Sequence, residues 1–196
     1  FNPKNLCLAG GVALNCVANG KVLRDGAFKN IWIQPAAGDA GGALGAALCS
    51  YYHHKDQPRS SNGSSDHMKG SYLGPEYSDR EIQERLTIEG AKFEILEEFE
   101  IIKQTAKALA AGKAVGWFQG RMEFGPRALG GRSILGDPRP PEMQKTLNLK
   151  IKFRESFRPF APSVRIEDVA DWFDLQVGSP YMLLVANIIK KRQKIM

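Results

Sequence analysis

The chain has 196 residues, 43% of them hydrophobic and 24% charged, with a net charge of +6. That length allows one or two domains, and that apolar content allows a sizeable core. No apolar run approaches the ~20 residues of a membrane-spanning helix, so a membrane partner is not expected. Cys7, Cys16 and Cys49 are odd in number and show no CxxC spacing. They read as small buried apolar residues in a reducing cytoplasm, with neither a disulfide framework nor a zinc site. The start, FNPKNLCLAGG, has no Met and no secretory signal, and the end, KKRQKIM, follows an apolar segment directly. Both ends read as cuts in a longer protein.

In chain order, Asn5 to Ala9 predicts a buried strand that Gly10-Gly11 turns into a helix over Val12 to Arg24, closed by Gly26. Two glycines between a strand and a helix leave backbone N–H groups free at the positive end of the helix dipole. That arrangement is either a tight structural turn or a phosphate cradle. Asn15 and Asn19 lie four apart beside this turn, where their amides are either solvated or in reach of a nucleotide. Phe28 to Gln34 predicts a second strand, followed by a helix over Ala40 to Tyr52 so rich in Gly and Ala that something must pack closely against it. Asp39, at that strand-to-helix turn, reads both as a helix cap and as a ligand for a hard cation. The spacing Ala40-x-Gly42-x-x-Gly45 approximates a dinucleotide fingerprint, but the strand ends too early and that reading is rejected.

Residues 53–70 are polar, rich in Ser and Gly and without periodicity, and mark a linker between residues 1–52 and residues 71–196. Ser78-Asp79-Arg80-Glu81 is a capping box and predicts a helix from Asp79 to about Glu89. Further on, a short strand is expected over Lys92 to Leu96 and an amphipathic helix over Glu98 to Ala111, ended by Gly112. A buried strand follows over Ala114 to Gln119, then a strand over Ser133 to Leu135 and a helix from Pro141 to Lys150. Ile166 to Phe173 predicts a short helix, and Tyr181 to Ile189 a strongly apolar strand. The fold class expected from these elements is α/β (α+β).

The basic charge is local. Between Gln119 and Arg165 stand seven Arg and three Lys against four acids, a net of +6 that equals the charge of the whole chain. A local excess of guanidinium calls for an anionic partner, and the planar fork of Arg meets phosphate or carboxylate oxygens bidentately. Gly125-Pro126-Arg127, Gly131-Arg132-Ser133 and Lys152-Phe153-Arg154 with Arg158-Pro159-Phe160 each set Arg beside a residue that fixes the backbone or adds a hydroxyl. A solvated basic face is the ordinary reading of a charge run. Here Met122, Phe124, Leu129, Ile134, Phe153, Phe157 and Phe160 alternate with the Arg residues, which favours half-buried strands around a concave phosphate-handling site.

LCLAGGVALNCVANGKVL with QPAAGDAGGALGAAL resembles the end of the nucleotide-binding domain of nodulation-factor and antibiotic O-carbamoyltransferases. GWFQGRMEFGPRALGGRSILGDPR with LNLKIKFRESFRPFAPSV resembles their smaller carboxy-terminal domain. The resemblance implies a fragment that holds the tail of an actin-like domain (1–52) and most of a twisted-sheet domain that forms carbamoyl adenylate (71–196). It implies carbamoyl phosphate and ATP as substrates, a divalent metal ion (Mg or Fe), and a small-molecule hydroxyl acceptor. Gly10, Gly11 and Asn15 would then line the larger domain's nucleotide site, with Asp39 on its metal. Arg127, Arg132, Ser133, Lys152, Arg154 and Arg158 would hold carbamoyl phosphate and ATP, the Lys152-Phe153-Arg154 motif and Arg158 catalytically. The histidines that complete the family's metal site, and its downstream segment rich in His, Asp and Thr, fall outside this sequence. The rival from another class is an RNA-binding or RNA-modifying module, suggested by a pI near 9.3 and by interleaved Arg and Phe. Nucleic acid is disfavoured because the aromatics sit in strand-like apolar runs.

Overall fold

A computed structural model describes residues 3–60, 63 and 66–193; positions 61–62 and 64–65 of the polar stretch 53–70, and both chain ends, lie outside the described residues. The fold is mixed α/β with small sheets, as expected. It forms two compact units: Phe1–Leu73 with Glu123–Leu129 and Ser163–Met196, and Gly74–Met122 with Gly130–Pro162.

In the first unit, β1 (Asn5–Leu8) pairs in parallel with β2 (Asn30–Ile33), from Asn5↔Asn30 to Leu8↔Ile33. Parallel neighbours need a crossover, and α1 (Cys16–Asp25) supplies it. Before α1, Gly11–Leu14 form a 3-10 turn rather than a continuous helix, and Asn15 caps α1 by accepting from the Ala18 N–H at 3.1 Å. Gly26, in the left-handed conformation at φ 72°, closes α1 as predicted. Asn19 is buried, donating to the carbonyls of Ala13 (2.8 Å) and Leu183 (3.0 Å). Its amide is therefore committed to the fold rather than offered to a nucleotide.

A buried turn, Pro35–Ala37, leads from β2 into α2 (Asp39–Cys49). No residue of α2 is fully buried, so the close packing expected of its small residues is met only at Gly41. A Cβ there would stand 2.6 Å from the Ala36 oxygen, while Gly42 and Gly45 face open space. Cys7 and Cys49 are exposed, which corrects the expectation that the cysteines are buried.

The core of this unit is Met68, Tyr181 and Leu183, with Leu14, Ile33, Leu44, Phe124 and Leu129 packed against them. Tyr181 to Ile189 does not form the expected strand; its one bridge is Phe173↔Ile188. Tyr181 and Leu183 enter the core, and two carbonyls of the segment are taken by side chains distant in sequence, while that of Asn187 accepts from the Asp174 N–H at 2.8 Å. Leu183 accepts from Asn19, and Val185 accepts from Arg24 Nη1 at 2.9 Å. A helix of four residues, α6 (Val169–Trp172), follows a 3-10 turn at Ile166–Asp168.

In the second unit, α3 (Asp79–Ile88) begins with the predicted capping box. The Glu81 N–H reaches Ser78 Oγ at 3.3 Å, and the Ser78 N–H reaches Glu81 Oε2 at 2.8 Å. Residues 92–96 run without a ladder, against expectation, because no neighbouring strand is present among the described residues to take their backbone groups. α4 (Glu98–Ala110) leads to β3 (Val115–Phe118), which pairs antiparallel with β4 (Arg132–Leu135) from Val115↔Leu135 to Phe118↔Arg132. β3 alternates half-buried and exposed rather than being buried throughout. The helix expected over Pro141 to Lys150 is a short α5 (Met143–Thr146) that widens into a π turn, Leu147–Lys152.

Candidate functional site

The candidate residues fall in both units. In the first, Gly10 adopts φ 89°, and its carbonyl accepts from Ala13 N at 3.0 Å. This tightens the turn that Gly10 and Gly11 expose. Asp39 is exposed as the first residue of α2, whose N-cap is Gly38, so Asp39 is not the cap. Among the described residues no three His, Cys, Asp or Glu side chains cluster to hold a metal ion. Asp39 belongs to no such cluster, whereas a hard cation takes several oxygen ligands. The described residues do not by themselves fit a metal.

Arg127 belongs to the first unit, carried there by the loop Glu123–Leu129. Gly125 makes that loop possible: its φ is 104°, and a Cβ on it would stand 2.4 Å from the Ala36 Cβ. Arg127 Nη2 donates to the Leu14 carbonyl at 3.0 Å, while its buried Nε has no hydrogen-bond partner among the described residues. A cavity of ≈ 10 Å³ lined by Ala36, Ser71, Phe124, Arg127 and Tyr181 has room for about one water and not for a phosphate. Glu123, buried, accepts from the Leu129 N–H at 2.7 Å and closes the loop.

In the second unit, Arg132 donates to the carbonyls of Gln119, Gly120 and Gly131 at 2.7–3.2 Å and lies 3.3 Å from the centroid of the Phe118 ring. Much of its guanidinium is thereby tied to the end of the β3–β4 pair. Ser133 Oγ accepts from Gly130 N at 3.0 Å. The remaining candidate cations lie at and after the end of the π turn. Lys152 is exposed. Phe153 closes the turn at φ 49°, ψ 50°, a left-handed conformation rare for a bulky residue. That reversal returns the Arg154 N–H to the Asn148 carbonyl at 3.0 Å.

The centre of this loop is Asn148, fully buried at 0% exposure. Its Oδ1 accepts from Arg154 Nε at 2.6 Å, and its Nδ2 donates to the carbonyls of Ser156 (3.1 Å) and Arg158 (2.8 Å). Gln144, one helical turn earlier, also donates to the Arg158 carbonyl, at 3.1 Å. Arg154 is half-buried, and its guanidinium carbon lies 4.9 Å from the centroid of the Phe160 ring. Its charge also acts through space on the Glu155 carboxylate, helping to hold that group below its usual range. Arg158 is exposed and ion-paired with Glu155 at 2.9 Å; that hydrogen bond holds the Glu155 carboxyl below the usual carboxylate range. Phe153 and Phe157 are 85% and 76% exposed, so the aromatics here are not the half-buried strand residues that were expected.

Asn148, Gln144 and Glu155 are not picked out by reading the sequence for cations and glycines. The one hint at Asn148 is an amide inside the apolar run Leu147-Asn148-Leu149, where a polar side chain has to be hydrogen-bonded if buried.

Residues 106–196 match the family described as Carbamoyltransferase C-terminus, and residues 1–48 match that described as Carbamoyltransferase N-terminus. A protein of Synechocystis whose function is uncharacterised is 60% identical over 187 residues, 94% of this chain and 30% of its own length. The nodulation protein NolNO of Sinorhizobium fredii is 43% identical over 98% of the chain and 28% of its own length. The 3'-hydroxymethylcephem-O-carbamoyltransferase of Streptomyces clavuligerus is 33% identical over 93% and 32%. The chain belongs to the carbamoyltransferase family, a family of transferases. It spans about a third of the length of the curated relatives it matches. No helix among the described residues is long and apolar enough to cross a membrane.

Proposed function

We propose that the protein containing this chain is an ATP-dependent O-carbamoyltransferase. The carbamoyl group of carbamoyl phosphate passes through a carbamoyl adenylate to a hydroxyl of a small-molecule acceptor. Water splits carbamoyl phosphate into carbamate and orthophosphate, and a carbamate oxygen then bonds to the α-phosphorus of ATP as the bond to pyrophosphate breaks. Residues 71–196 form the adenylate, and residues 1–52, the tail of an actin-like domain, serve the transfer step with Gly10, Gly11 and Asn15 at its nucleotide. The setting is the cytoplasm. A metal on Asp39 would take its other ligands from outside this chain.

The observation that carries this reading is the loop from Lys152 to Arg158. Making an adenylate brings two phosphorylated substrates together, and fixed cations screen their repulsion best when held before the substrates arrive. Arg154 meets that demand. It is anchored through Nε on a neutral amide and across the Phe160 ring, which leaves its Nη edge to meet a ligand, and exposed Lys152 stands two positions earlier in the chain. Arg keeps its charge at any working pH.

The test is pyrophosphate release from ATP by the full-length protein, with and without carbamoyl phosphate. Release should require carbamoyl phosphate, and Arg154→Lys should raise its KM about ten- to hundredfold, the cost of a lost charge-assisted contact. Release indifferent to carbamoyl phosphate would overturn the assignment.

A further inference from the structure

We infer that Asn148 is a positioning residue for carbamoyl phosphate, acting through Arg154; this rests on the function proposed above. The reasoning starts from what a buried side chain must do at this point. One end has to accept from a guanidinium, and the other has to donate to two carbonyls, those of Ser156 and Arg158. Among side chains of this size only an amide has both an acceptor oxygen and two donor hydrogens. Asp would take the Arg154 Nε but would face the two carbonyls with a second acceptor. It would also pair the charge that the substrate phosphate needs. A neutral amide fixes the guanidinium and leaves its charge available.

Two further contacts and one backbone conformation fix the loop that carries Arg154. The Asn148 main-chain oxygen accepts from the Arg154 N–H at 3.0 Å, so backbone and side chain of Arg154 are held by one residue. The left-handed Phe153 between them makes that double contact possible, at a conformational cost that a bulky residue bears only where its surroundings over-determine it. Gln144 joins Asn148 on the Arg158 carbonyl, so the loop is clamped from one helix face. With Nε and the ring face of the guanidinium engaged, the Nη edge is the part left for a ligand. Asn148 therefore sets the direction of the Arg154 fork without touching the substrate.

A double-mutant cycle in the full-length protein tests this, read as the KM for carbamoyl phosphate in pyrophosphate release. N148A and R154A should each raise KM, N148A about tenfold. The double variant should match R154A within about twofold, because a residue that acts through Arg154 has nothing to position once Arg154 is gone. N148D keeps the volume of Asn and carries the same cycle where N148A does not yield folded protein; it too should raise KM. Single effects that multiply in the double variant would overturn the inference, as would a normal KM in a folded Asn148 variant while R154A is impaired. A normal KM in R154A would instead sink the carbamoyl phosphate site itself, and the positioning role with it.

Discussion

Arg127 donates a hydrogen bond to the main-chain oxygen of Leu14 at 3.0 Å, across 113 residues of sequence. The arginine of the Gly-Pro-Arg motif is thus anchored on the turn that follows Gly10-Gly11. Its loop is part of the first unit although β3 and β4, on either side of it in sequence, belong to the second.

Arg127→Lys should lower stability by about 1–2 kcal/mol, because one ammonium on a flexible stem does not reproduce a planar donor held against a carbonyl. Urea midpoints of the variant and the parent check this. Equal midpoints would mean that the bond to Leu14 contributes nothing.

Gly125 and Gly42 should respond in opposite directions to the same substitution. Gly125→Ala adds a Cβ 2.4 Å from that of Ala36 at a φ of 104° and should cost about 2–4 kcal/mol. Gly42→Ala adds a methyl into open space within α2 and should gain about 0.5–1 kcal/mol. Thermal unfolding of the two variants, side by side, gives both signs.

Tyr181 should give the protein an alkaline limit. Its hydroxyl is bonded to the Asp66 carboxylate and accepts from the Gly70 N–H at 3.1 Å. Burial, reinforced by Asp66, pushes it up to about 12, against about 10 in an unfolded chain. Below pH ~10 both states hold the proton and this group adds no pH dependence. Between ~10 and ~12 the unfolded state alone has lost it, so stability falls as pH rises, by up to about 2–3 kcal/mol in all. Urea midpoints at pH 9 and pH 11.5 should show that fall in the parent, and a smaller one in Tyr181→Phe. Parallel behaviour of the two proteins would remove Tyr181 as the cause.

Glu155 is ion-paired with Arg158 at 2.9 Å, and on the function proposed above it would compete with carbamoyl phosphate for that guanidinium. Glu155→Gln should free the guanidinium and lower the KM for carbamoyl phosphate about two- to fivefold, the modest effect expected of an exposed ion pair. Steady-state kinetics of the full-length variant decides this. A raised KM would show that Glu155 orients Arg158 for its ligand instead of withholding it.

The sequence by itself determined what depends on neighbours within a turn or two. The capping box at Ser78 and Glu81, the left-handed Gly26 after α1, the extent of α4, and a helix between the first two strands were all readable in this way. Each is set by φ preference, capping or periodicity that a few consecutive residues carry. The cluster of cations was readable too, because charge is a property of composition.

Tertiary structure alone decided how those parts are used. Apolar content made Tyr181 to Ile189 look like a strand, but a ladder needs a partner backbone. Asn19 and Arg24, more than 160 residues away, take the Leu183 and Val185 carbonyls, and backbone pairing is confined to the bridge at Phe173 and Ile188. Charge marked Arg132 and Arg154 alike, yet Arg132 is tied to main-chain carbonyls at the end of a strand pair and Arg154 is braced on a buried amide. The difference lies in hydrogen-bond partners met only once the chain has closed on itself: a buried polar group must be satisfied by whatever the fold brings to it.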